Sequence, residues 1–250
     1  MANRAWLAIC LLAGIVALWL SYSWLRAPYI TNDGYQYLDA ASNVAAGKCL
    51  CTRLAHFDEQ VAFGHMPIPF THFPPGYSLL IATLSFVGLR LQTAGYLLSA
   101  AGFLISLWLI WDISTLLGAR PLVATAVVLS WIGNAAALRY ASTVLTEALF
   151  TAALMAMAAV MVRDLRDDGK RPILLLGTGA LAGVSYSLRY AGIFLVAVAG
   201  LYIVWRWWRN RDTLLWAIGG VVLAAALVLP LQIHNFIYTG SWRPEYPSVT

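Results

Sequence analysis

The chain has 250 residues, of which 61% are hydrophobic and only 11% charged. Soluble domains carry about 25% charged residues, and disorder needs low hydrophobicity with high charge. Both classes are excluded, and a polytopic membrane protein remains. The net charge of +5 does not point to nucleic acid. Most lysines and arginines lie in short loops between apolar runs, where they orient helices.

The first apolar run, residues 6–24, follows Arg4. It is longer than the about 7–15 residues of a signal-peptide core and has no convincing small-residue cleavage site. It reads as an uncleaved helix able to cross about 30 Å of hydrocarbon. Cys10, inside it, reads as a small core residue. Further spans fall at 94–117, 121–138, 143–162, 173–188, 191–205 and 214–233, making seven. The run 77–89 would form a helix of about 20 Å. That is too short to span, so it reads as interfacial or re-entrant.

Charge supports seven spans. With a cytoplasmic N-terminus, nine of the 16 basic residues crowd into the inner loops: Arg4, Arg120, Arg163, Arg166, Lys170, Arg171, Arg206, Arg209 and Arg211. This is the positive-inside pattern. The expectation is one all-α transmembrane module over 1–250, with a long first outer loop at about 25–93 and an outer tail at 234–250. The chain stops at Thr250 in a polar segment, which is compatible with a longer protein.

The first loop opens with Thr31-Asn32-Asp33-Gly34-Tyr35, leading into a helix over 35–46 with Tyr35, Leu38, Ala41, Ser42 and Ala45 on one side. Asp33 reads as an N-cap closing a capping box with Gln36, or as a carboxylate placed to act as a general base; the two roles are compatible. Cys49 and Cys51 lie too close in sequence for an easy bridge. His56, His65 and His72 follow at spacings that match no short metal motif. Pro74-Pro75 then forces an extended approach to a helix beginning at Gly76.

Glu147 is the most informative single residue. It leads into an apolar helix, where an acid is costly unless it faces a wet cavity or a partner. The plain alternative is a first-turn acid favoured by the helix dipole. Arg90, Arg139 and Arg189 all fall at outer helix ends, against the positive-inside rule. Snorkelling would explain any one of them. Three beside two carboxylates suggest an anionic ligand, because arginine binds phosphate bidentately. His234 and Asn235 stand just after Pro230 at a further outer end.

These stretches together resemble the GT-C membrane glycosyltransferases. More narrowly, they resemble the branch of protein O-mannosyltransferases, aminoarabinose lipid A transferases and Rgt-type proteins. The resemblance rests on Asn32-Asp33-Gly34-Tyr35, Phe73-Pro74-Pro75-Gly76-Tyr77, Leu145-Thr146-Glu147-Ala148-Leu149-Phe150, the stretch 179–189, and Leu229-Pro230 through Asn235 to Gly240. It implies juxtamembrane helices in the first loop, lying over a cavity. It implies Asp33 as catalytic base and Glu147 as the second outer-loop acid, with both as candidate ligands of a divalent metal. Arg90, Arg139 and Arg189 become candidates for gripping a lipid phosphate, and His72, Tyr77 and Asn235 for lining the loop and cavity. Relatives often carry Lys or His directly before Pro-Pro; here Phe73 stands there and His72 one step earlier.

The resemblance further implies a bacterial inner-membrane enzyme with its active site on the periplasmic or extracellular face. Its donor would be a polyprenyl-phosphate sugar and its acceptor a hydroxyl of a lipid, glycan or protein. The partners are then that donor, that acceptor and the bilayer, with no nucleic acid. Two other classes remain open at this stage: a transporter or flippase of lipid-linked glycans, and a non-catalytic membrane subunit.

Overall fold

The computed structural model describes residues 2–24, 30–54, 66–240 and 242. Helix α1 (Ala2–Trp24) is followed by α2 (Asn32–Ala45) and two short strands, β1 (Cys51–Thr52) and β2 (Ile68–Pro69). The strands pair antiparallel, with Cys51 opposite Pro69. Then come α3 (Gly76–Phe86), α4 (Leu91–Leu116), α5 (Pro121–Ile132), α6 (Ala135–Ala141) and α7 (Glu147–Arg166). Helices α8 (Leu174–Leu188), α9 (Ile193–Arg209) and α10 (Leu214–Thr239) complete the order. The protein is an all-helical polytopic membrane protein.

Five described helices are long and apolar enough to cross a membrane: α1, α4, α7, α9 and α10, the last two with their short 3-10 lead-ins. These match five of the seven expected spans. The expected span 121–138 is instead a broken pair, α5 and α6, bent by 67°. Gly133 ends α5, and Asn134 caps α6, its Oδ1 accepting from the Ala136 and Ala137 N–H groups at 2.9 and 3.2 Å. A helix start satisfied this way needs no continuing turn before it. Helix α8, with 15 residues, is about 22 Å long and falls short of the hydrocarbon thickness. The short α3 agrees with the reading of 77–89 as non-spanning.

Three local expectations need correction. The cap of α2 is Thr31, whose Oγ1 accepts from Gly34 N–H at 3.1 Å. Asp33 is the second residue of the helix, within its first turn, and is not the cap; Gln36 is buried against β1, with its Nε2 donating to the Leu54 carbonyl. The buried face of α2 carries Tyr37, Leu38 and Ala41, while Tyr35 is exposed. Cys49 and Cys51 form a disulfide: the turn at Leu50 brings their Cα atoms to 5.3 Å, within the about 4.4–6.8 Å that a bridge spans. Finally, α10 does not end at residue 233. It runs through Pro230 to Thr239 and stops at Gly240, whose left-handed φ of 68° suits glycine. Cys10 is buried, as expected.

Two clusters organise the core. One joins α2, α3, α4 and the segment before α7 around Tyr37, Phe70, Tyr77, Ile81, Ala94 and Val144. The other joins α1, α4 and α5 around Cys10, Phe103, Leu107 and Val128. At the end of the bundle that carries the basic turns, ion pairs tie the helices together. Arg163 meets Asp112 at 2.5 Å and Arg206 meets Asp164 at 2.6 Å. At the opposite end, the first loop packs over the helix ends.

Candidate active site

The approach to α7 is unusual for a loop. Residues 141–146 are all buried, with Val144 and Thr146 fully so. Loops run over surfaces because buried backbone must be hydrogen-bonded, and this one is. Ser99 Oγ donates to the Leu145 carbonyl at 3.1 Å, Tyr22 Oη to the Ala141 carbonyl at 3.4 Å, and the Leu145 N–H to the Thr143 carbonyl at 3.0 Å. Two glycines permit the close packing. A Cβ on Gly34 would come within 2.8 Å of the Val144 carbonyl, and one on Gly102 within 2.6 Å of the Leu149 nitrogen. Gly102 lies 11 residues past Leu91, so the start of α7 is recessed roughly 16 Å along α4.

This packing sets Glu147 at the first position of α7, where the helix dipole favours an anion. Glu147 Oε1 pairs with the guanidinium of Arg189 at 2.5 Å. Arg189 is the C-cap of α8, held in an extended conformation before the 3-10 turn Tyr190–Gly192. It also donates to Thr146 Oγ1 at 3.3 Å, and Thr146 is hydrogen-bonded to Tyr37 of α2. Asp33, one turn earlier on α2, feels both charges. Burial pushes its carboxyl above the usual range, Glu147 raises it further, and Arg189 lowers it. Burial likewise pushes the Tyr37 hydroxyl up, so it stays a neutral phenol.

A cavity of about 200 Å³ opens on this group. Glu147 and Arg189 line it with Ser106, Trp131, Asn134 and Tyr140; Asp33 is not among the lining residues. Two of its polar atoms are buried without a hydrogen-bond partner, Glu147 Oε2 and Trp131 Nε1. They are an acceptor on α7 and a donor on α5. A second cavity, of about 360 Å³, shares Trp131 and Asn134 with the first. It continues between α4, α5 and α7 past Ile110, Ile113, Val127 and Met155. A polar chamber thus adjoins an apolar groove at the α5–α6 break.

Of the residues singled out in the sequence, Asp33, Glu147 and Arg189 come together. Arg90 is the exposed N-cap of α4, and Arg139 is exposed on α6; the charges acting on Asp33 come from Glu147 and Arg189. Tyr77 is fully buried, its hydroxyl bonded to the Gly95 carbonyl and Ser99 Oγ, both at 2.8 Å. It locks α3 to α4. His72 is half-buried edge-on to Phe73, and burial lowers its pKa, which favours the neutral imidazole. Asn235 is buried and donates to Tyr190 Oη at 2.8 Å, while Tyr190 donates to the Thr71 carbonyl at 2.7 Å. That relay fixes the turn after Arg189 to both α10 and the first loop.

His56 and His65 lie outside the described residues. Among the described residues no group of three His, Cys, Asp or Glu side chains could hold a metal. Glu147 already has one oxygen on a guanidinium, so the donor set fits a metal poorly.

Sequence reading missed Thr146, Tyr37, Trp131 and Asn134. Only Gly133-Asn134 carried a usable signal, a helix-breaking pair inside an apolar run.

A recessed carboxylate–guanidinium cluster is thus set among membrane helices under the elements of the first loop, and the chain is a membrane glycosyltransferase of the GT-C type. Residues 72–234 match the model of the dolichyl-phosphate-mannose-protein mannosyltransferase family, and the chain belongs to that family. No curated protein and no solved structure matches it.

Proposed function

We propose that the protein transfers one sugar from a polyprenyl-phosphate donor to a hydroxyl acceptor on the non-cytoplasmic side, inverting the anomeric centre. Asp33 takes the proton of the acceptor hydroxyl as its oxygen attacks the anomeric carbon. The bond from that carbon to the phosphate oxygen breaks, and the lipid phosphate leaves with the electron pair. Arg189 stabilises the charge gathering on the phosphate, a role that preorganised donors fill well in a dry site. Glu147 holds Arg189 in place and leaves its second oxygen free in the chamber. No step is routed through a metal.

The observation that carries this reading is the convergence of Asp33, Glu147 and Arg189 from three separate elements, the last two of them lining one chamber. A carrier that alternates access favours a site at broken helices near the midplane, open in turn to both sides. Here the chamber does adjoin a broken pair, α5 and α6, but Asp33, Glu147 and Arg189 gather toward the loop end. The apolar groove suits the hydrocarbon chain of the donor. The chamber is smaller than the about 300–1,000 Å³ that holds a whole drug-sized ligand, so it suits a single ring or phosphate. The Cys49–Cys51 bridge belongs to the same loop end, and disulfides persist in oxidising compartments.

The test is transfer of radiolabel from polyprenyl-phosphate sugars to membrane extracts by the reconstituted protein, with Asp33→Asn beside it. Label moved by the wild type alone supports the reading. Equal transfer by a folded Asp33→Asn protein removes the base assignment, and no transfer from any donor, with the protein folded, removes the reaction.

A further inference from the structure

The basic end of the bundle holds a feature that sugar transfer does not use. The seven residues from Trp205 to Arg211 contain three tryptophans and three arginines. Arg206 turns inward to Asp164. The other two arginines stack on indoles: Arg209 lies 5.4 Å over Trp205, and Arg211 lies 4.4 Å over Trp207 and 5.5 Å from Trp208. Stacking orients a guanidinium by its face and leaves its N–H edges turned outward. Among the described residues neither Arg209 nor Arg211 pairs with a carboxylate. Asp212 shares their turn, with its backbone N–H held by Asn210 Oδ1.

We propose that this corner, where α9 meets α10, binds the phosphate head group of an anionic phospholipid through Arg209 and Arg211. Three observations favour a lipid over a free anion. The site is flanked by large exposed apolar side chains, Leu201, Val204 and Leu215, which offer a surface for acyl chains. Trp208 is 70% exposed beside the arginines, and tryptophan favours the head-group level of a bilayer. A third cation, Lys170, sits on the turn that covers Arg206, because Gly169 leaves the room its guanidinium occupies. Basic pockets at helix ends are a recurring way of holding anionic head groups, and two guanidiniums match phosphate oxygens bidentately.

The experiment uses the full chain in nanodiscs of phosphatidylcholine with added phosphatidylglycerol, and reads the co-purifying lipid by native mass spectrometry. The wild type should retain phosphatidylglycerol in preference to phosphatidylcholine. The double variant Arg209→Gln/Arg211→Gln should lose that preference by about thirtyfold, or about fivefold for each cation near the surface. The control Arg166→Gln should keep it. Arg211→Lys, which preserves charge and fold but not the flat stacked fork, should weaken retention several-fold. Equal retention by the double variant overturns the site, and unchanged retention by Arg211→Lys overturns the stacked geometry. Displacement of the lipid by inorganic phosphate at equal concentration would mean an anion site without lipid character, which also overturns the proposal. None of these readouts depends on sugar transfer.

Discussion

Helix α7 meets an arginine of a neighbouring helix near both of its ends, and the two pairs are built differently. At the basic end, Asp164 and Arg206 are 1% and 8% exposed. Tyr202 adds a hydrogen bond to the same carboxylate oxygen at 2.7 Å, and Gly169 closes over the guanidinium. At the loop end, Glu147 and Arg189 are 26% and 38% exposed. Their neighbours are a second acid and a chamber. One pair is sealed, with an acid and a base in balance. The other is open and carries an extra negative group. A charge pair alone therefore says little about function; what separates a fastener from a site is access and an unbalanced neighbour.

The contrast can be broken most directly at Asp33. Asp33→Asn should lower the transfer rate by about 10²–10⁴, the usual worth of a positioned general base, without lowering the melting temperature. A drop in melting temperature of matching size would make Asp33 another fastener. Next in size is Arg206→Leu, which strands a buried Asp164 at a cost of about 3–5 kcal/mol. Melting temperature and yield should fall, while the rate per folded molecule holds. A changed rate at unchanged stability would reverse the two roles.

The pH profile sharpens the loop end further. Asp33 works as a base only when ionised, so activity should rise through a midpoint above the ordinary aspartate value of about 3.9. Burial is the main cause, with Glu147 adding to it. Glu147→Gln should move that midpoint down and Arg189→Gln should move it up. Stability runs the other way. A carboxyl raised in the fold costs stability as the pH climbs above its unfolded value. An acid limb unmoved by either variant would detach Asp33 from the pair. The smallest effect is expected from Trp131→Phe, which removes one unpaired donor from the chamber and keeps most of the ring's bulk. A several-fold rise in KM for the donor, at nearly constant kcat, corresponds to about 1 kcal/mol for one hydrogen bond.

The sequence was most legible where a residue was out of place. Glu147 beside an apolar run and Arg189 at an outer helix end each violate a bilayer rule, and both belong to the cluster. Arg90 and Arg139 violate the same rule and remain exposed, so the signal finds candidates without ranking them. The Thr31 cap was hidden because Asp33 fits the same motif two residues later. The bend at Gly133-Asn134 was hidden by the apolar residues on either side, which read as one span. The Asn235–Tyr190–Thr71 relay joins three distant segments. Nothing local in any of them announces it.

The buried course of residues 141–146 constrains how the chain can be altered. Its Ala141 and Leu145 carbonyls accept from Tyr22 and Ser99, on two other helices, and Val144 sits where Gly34 and Gly95 have no room to give. An epitope tag or reporter placed there would have to unpack two helices. The same insert in the turn at 117–118, where Leu117 and Gly118 are exposed and a Cβ on Gly118 would meet nothing, faces open space. Insertional tolerance should therefore fall to nothing before α7 and be ordinary after α4. That makes the turn after α4 the practical place to attach a probe.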